Sequence, residues 1–131
     1  MTASATLKEL RQNAKSQALT RRFMFLWKAL GGSPLVKEWR FDHKRQWRFD
    51  FADINEKVAI ELEGGIWTHG AHNRGKHYNS DCEKYNRATL MGWKVFRLTT
   101  DMITRAHVLP LVCLASGKIP VFTKSNTTPT I

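Results

Sequence analysis

Apolar and polar positions divide the chain into stretches of different period. From Thr6 to Leu30 there is neither Pro nor Gly, and Leu7, Leu10, Ala14, Ala18, Phe25 and Leu26 approximate a helical stripe. This predicts one long helix or two short ones, stopped by Gly31 and Gly32, with Pro34 barring continuation. LVKEWRF, residues 35–41, then alternates as a strand, and DHKR, 42–45, reads as a polar turn. QWRFDFA, 46–52, alternates again, which assigns Trp47, Phe49 and Phe51 to one face and Gln46, Arg48 and Asp50 to the other. After the turn DINEK comes VAIELE, 58–63, with Val58, Ile60 and Leu62 on one side and Ala59, Glu61 and Glu63 on the other.

Residues 66–79, IWTHGAHNRGKHYN, follow neither period and read as a loop. Ser80 with Glu83 has the spacing of a capping box, so a helix is expected over about 81–91, with Cys82, Tyr85 and Thr89 on its core side. WKVFRLT, 93–99, reads as a strand buried on both faces. Thr100 or Asp101 then caps a last helix to about Ser116, bent or split at Pro110. The order is helix, three-strand meander, loop, helix, strand, helix. It predicts a single α/β (α+β) domain with a mixed central β-sheet flanked by helices. Residues 1–33 form a basic helical segment, 34–117 the core, and 118–131 a polar tail.

Composition sharpens this picture. A chain of 131 residues can bury one core without disulfides. Its 21 Lys and Arg outnumber 11 Asp and Glu, giving a net charge of +10, and the expected partner is a polyanion, DNA first. Cys82 and Cys113 are too few for a secreted disulfide scaffold and read as free thiols in a reducing compartment. MTASATLKEL has no apolar signal core, and no apolar run is long enough to span a bilayer, so a cytoplasmic location without a membrane partner is expected.

Against that charge, the acids of the second and third strands stand out. A turn centred on Asn55 and Glu56 sets Asp50 opposite Glu61 and Arg48 opposite Glu63, all on one face. Two carboxylates directly opposite repel. A hard divalent cation would offset the repulsion, since Mg²⁺ takes oxygen ligands and keeps several waters. Ordinary ion pairs of Glu63 with Arg48, and of Asp50 with a nearby base, would offset it equally well.

RFDFA, an apolar strand ending acid-x-acid-Gly-Gly, and then HNRG, DCEKYN and GWKVFRLT in order resemble the PD-(D/E)XK nuclease superfamily. The similarity is greatest to its very-short-patch repair endonuclease-like branch and to small phage or prophage endonucleases, and covers roughly residues 34–105. The resemblance implies a restriction-endonuclease-like fold and a metal-dependent DNA endonuclease using Mg²⁺ or Mn²⁺, structure-selective, in phage-type recombination or repair in a bacterial or phage-infected cytoplasm. Asp50 stands at the metal-binding aspartate and Glu61 at the acidic position, with the carbonyl of Leu62 as a further ligand. Glu63 stands where the family carries a catalytic lysine; it would bind metal instead, and the positive role passes to His69, His72, Arg74, Lys76 or Lys84. Glu38 takes the place of a glutamate that many members carry on the first helix.

His72, or Arg74, would contact the scissile phosphate or protonate the leaving group. Lys44, Arg45, Arg48, His69, Arg74, Lys76, Arg21 and Arg22 are expected to contact DNA. A zinc site built from His69, His72, His77 and Cys82 does not match a familiar spacing. Junction resolution would call for a homodimer, and the basic first helix, with Phe23 or Trp27 exposed, would supply that dimer or an arm on DNA. Two rivals remain: a non-catalytic nucleic-acid-binding domain derived from a nuclease fold, and a basic protein-interaction module.

Overall fold

In a computed structural model of the chain, residues 5–64 and 66–119 are described, with side chains given for all of these except 66–77. Among the described residues three helices and four strands form one α+β domain in the order α1 (Leu7–Ala29), β1 (Val36–Arg40), β2 (Arg48–Asp53), β3 (Val58–Glu63), α2 (Ile66–Leu90), β4 (Lys94–Thr99) and α3 (Arg105–Ala115). A single 3₁₀ turn, Thr100–Met102, precedes α3. The sheet runs β1-β2-β3-β4: an antiparallel meander, then β4 parallel to β3. A parallel neighbour requires a crossover, and α2 supplies it. No described helix is long and apolar enough to cross a membrane.

Helix α1 starts in a reciprocal cap. Thr6 Oγ1 accepts from the Glu9 amide at 3.1 Å, and Glu9 Oε2 accepts from the Thr6 amide at 2.7 Å. Its buried stripe is Leu19, Phe23 and Trp27, spaced by four, rather than the stripe expected from Leu7 and Leu10, which are exposed. Phe23 and Trp27 are 0% and 2% exposed and cannot serve as a free dimer or DNA patch; the exposed ring is Phe25, at 78%. The indole of Trp27 donates to the Ser33 carbonyl at 2.7 Å, and a Cβ on Gly32 would fall inside that indole. The Ser33 hydroxyl continues the chain of bonds to Asp53 Oδ2 at 2.6 Å, locking the corner between α1 and the sheet.

Two apolar layers cover the sheet. On one face Leu19, Phe23 and Trp27 of α1 and Val108, Leu111 and Val112 of α3 meet Phe51, Val58, Ile60 and Leu98. On the other, Ala88 of α2 meets Phe41, Phe49, Ala52, Ala59 and Trp93. Phe49 and Phe51 therefore lie on opposite faces, where plain alternation puts them together. The cause is a break shared by two strands. Lys37 pairs with Phe51 and Trp39 with Phe49, but Glu38 and Asp50 between them are skipped, and Glu38 has a left-handed φ of 52°.

Further expectations change. Residues 66–79 are not a loop: α2 begins at Ile66 and passes through Ser80 without a cap. Cys82 and Thr89 are exposed, and among the described side chains of α2 the inward ones are Lys84, Tyr85 and Ala88. Among the described residues β4 is an edge strand: Leu98 is buried, Val95, Phe96 and Thr99 are half-buried, and Lys94 and Arg97 are exposed. At the last helix the cap is Thr104, not Thr100 or Asp101, and Pro110 lies within α3 without splitting it.

Candidate functional site

The acids of β2 and β3 meet where the two strands stop pairing. Their ladder runs from Asp53↔Val58 to Phe51↔Ile60. One step further the Asp50 carboxylate takes the place of a main-chain partner: its Oδ2 accepts the Leu62 amide at 2.7 Å. The double break at Glu38 and Asp50 is what frees Asp50 to turn along the sheet toward β3; such breaks re-aim single side chains.

Glu61 lies on the α2 side of the sheet and is 8% exposed. Lys84 reaches down from α2 and donates from Nζ to Glu61 Oε1 at 2.9 Å. Its ammonium also stands 6.0 Å from the centre of the Phe49 ring and 5.4 Å from that of Tyr85. Glu63, next on the same face, is taken by Arg97 of β4, whose Nε lies 2.6 Å from Glu63 Oε1. Arg97 comes within reach because β4 pairs in parallel with β3, setting Glu61 against Arg97. Arg48 is not the partner of Glu63; it is exposed and pairs across the ladder with Arg40.

Burial pushes both the Asp50 and the Glu61 carboxyl up, against the opposing pull of the Leu62 amide on Asp50 and of Lys84 on both. The neighbouring acids add to the rise: Glu63 acts on Asp50, and Asp50 and Glu63 act on Glu61. Burial likewise raises the Tyr85 hydroxyl. A divalent cation would reverse this balance, because it favours the charged form of both carboxylates. Among the described residues no three His, Cys, Asp or Glu side chains close around one point. Asp50 and Glu61 are the neighbouring carboxylates that could share a hard cation, with water filling the remaining positions.

On the other face of the sheet, Asp50 also lines a cavity between α1 and the strand ends, and Glu38 shares that wall. Arg22, of the expected DNA contacts, lines it too, whereas Arg21 faces away beside Phe25. Lys44 and Arg45 sit in a built turn. Buried Asp42 accepts the Lys44 amide at 2.9 Å and pairs with Arg87 of α2 at 3.0 Å. The amide bond and the guanidinium hold the Asp42 carboxyl below its usual range. The Arg40 side chain donates to the carbonyls of Asp42, His43 and Arg45. Arg45 stacks over Trp47 at 4.8 Å.

The side chains of Trp67, His69, His72, Arg74, Lys76 and His77 lie outside the described residues. Sequence reasoning missed Arg97. Its only signal was a basic residue in the strand after the crossover, and the parallel register that aims it at Glu63 is a tertiary fact. No family model, curated protein or solved structure matches the chain.

Proposed function

We propose that the protein is a metal-dependent DNA endonuclease that hydrolyses phosphodiester bonds. The observation that carries this reading is the carboxylate pair of half-buried Asp50 and buried Glu61, set beside the Lys84 ammonium in a chain of net charge +10. A binding module gains nothing from buried acids facing phosphate. A nuclease does: Asp50 and Glu61 would hold Mg²⁺ or Mn²⁺, which would supply an activated water and charge stabilisation at the departing oxygen.

The remaining work falls to the chain's own groups. Lys84 takes the role that Glu63 cannot, placing a positive charge where negative charge grows on the phosphate. Arg97 neutralises Glu63, so that an acid at this position does not repel the strand. The turn of Lys44 and Arg45 and the basic face of α1 draw DNA in by counterion release, which makes binding steeply salt-dependent. Branched or interrupted DNA is the expected substrate, and a junction would need two copies of the site.

One observation favours a second reading. Lys84 and Arg97 already neutralise Glu61 and Glu63 without a cation, as they would in a nuclease-derived domain that only binds DNA. Cleavage of labelled linear, nicked, flapped and four-way-junction DNA, in Mg²⁺, Mn²⁺ or EDTA, decides between them. Cutting that needs both metal and Asp50 is the expected result. Binding without cutting on every substrate would leave the binding domain standing.

A further inference from the structure

The cations around the acidic pair fall into two groups. Lys84, Arg87, Arg97 and Arg45, on the α2 side, each pair with an acid. Lys15 and Arg22 of α1 and Lys37 of β1 have no acidic partner among the described residues, and all three line the cavity between α1 and the strand ends. Its inner wall carries Asp50 and Glu38, so the cavity opens directly onto the proposed metal ligand.

Its volume is about 530 Å³. That is the scale of one drug-sized molecule, hence of a nucleotide. A duplex, whose major groove alone is about 12 Å wide, does not enter such a space. Among the described residues the apolar part of the lining is aliphatic, Ala18, Leu19 and Leu62, apart from Phe51, which is buried in the core beneath. Among the described residues of the lining there is no exposed ring to stack a base, and three cations without an acidic partner are placed to hold phosphate, which suits the cavity to a sugar-phosphate backbone.

We propose that this cavity receives one unpaired nucleotide of the substrate strand, its phosphate held by Lys15, Arg22 and Lys37, with the adjoining phosphodiester at Asp50. The identity of the strand as DNA rests on the nuclease reading. The inference narrows the substrate class to DNA with an unpaired strand, such as a flap or a frayed branch.

The test is fluorescence anisotropy on the full chain in EDTA, with a short labelled oligothymidylate and with a blunt duplex. Two triple variants of equal charge are compared with wild type. One carries Lys15→Ala, Arg22→Ala and Lys37→Ala. The other carries Lys8→Ala, Arg11→Ala and Lys28→Ala, outside the cavity. The cavity triple should weaken oligothymidylate binding by about tenfold or more and lower the slope of log K against log salt by about 0.7, the value for one lost phosphate contact on a single strand. Duplex binding should fall alike in both triples. Equal weakening of oligothymidylate binding by the two triples, or wild-type binding by the cavity triple, overturns the proposal. All three cavity cations are exposed, and the single variants Lys15→Gln and Lys37→Gln carry the same comparison if the triple does not fold. The two proposals fail differently. Oligothymidylate binding that depends on the cavity, in a protein that cuts nothing with Mg²⁺ or Mn²⁺, removes the nuclease and keeps the cavity. Metal-dependent flap cutting by the cavity triple at wild-type rate removes the cavity and keeps the nuclease.

Discussion

Glu38 and Asp50 are the two positions that β1 and β2 skip in their pairing, and both strands change faces there. A left-handed backbone at a residue with a Cβ is strained by about 1–2 kcal/mol. Glycine removes the strain and returns part of the gain as lost chain entropy. Glu38→Gly should therefore raise the unfolding free energy by about 0.5–1 kcal/mol in urea titration. Glu38→Val should lower it by about 1–2 kcal/mol, since a β-branched residue is an outlier at this φ. If the glycine gain comes with slower cleavage, the strain is maintained for the carboxylate that it positions.

The second prediction concerns pH. Burial raises the Asp50 carboxyl above its unfolded value, so its ionisation opposes folding. The penalty is absent below the unfolded pKa of about 3.9 and grows as pH rises through the raised folded value. Asp50→Asn keeps an oxygen to accept the Leu62 amide and carries no charge. It should melt above wild type at neutral pH, with the difference vanishing below about pH 4. A constant difference across pH would mean that Asp50 is not strained by its own charge.

A bound cation should reverse the same penalty. Mg²⁺ or Mn²⁺ at a tenfold excess over Kd should stabilise wild type by about 1.4 kcal/mol. In a thermal melt that is a rise of roughly 4 °C for a domain of this size. Asp50→Asn should show little or none of it. An equal rise in both proteins would place the cation elsewhere.

Lys84 is asked to act on the phosphate and also to neutralise Glu61. Lys84→Met should lower cleavage about 10²–10³-fold while DNA binding persists, the loss typical of removing one stabilising donor. It should also destabilise the fold by about 2 kcal/mol, because a partly buried carboxylate loses its partner. Adding Glu61→Gln should restore much of that stability and none of the cleavage.

The expected elements survive best where pattern and packing agree. The third strand was legible to the residue, because Val58 and Ile60 alternate with Ala59 toward two different layers. The stripe Leu19, Phe23 and Trp27 was also present in the sequence, at a spacing of four, but the equally apolar Leu7, Leu10 and Phe25 masked it. The first half of α2 gave no such signal. Gly70 and Gly75 interrupt it, and its residues have no apolar period. The separation of Phe49 from Phe51 was illegible for another reason: both faces of the sheet are covered, so alternation says nothing about where a strand switches sides. Of the site, Asp50, Glu61 and Lys84 were readable as candidates and are brought together, whereas Arg97 depends on a pairing made across the whole of α2.

The parallel pairing of β3 with β4 also fixes an order of assembly. The meander of β1, β2 and β3 closes through short turns and can form from local chain alone. Glu61 and Glu63 receive their cations much later in sequence, from Lys84, 23 residues on, and from Arg97, 34 residues on. During synthesis the acidic strand therefore emerges before either counter-charge exists. Loop closure of that length is slow relative to hairpin formation. The nascent chain would pass through a stage with its sheet started and its acids open to solvent, and the site would reach its working electrostatics only when the last strand docks.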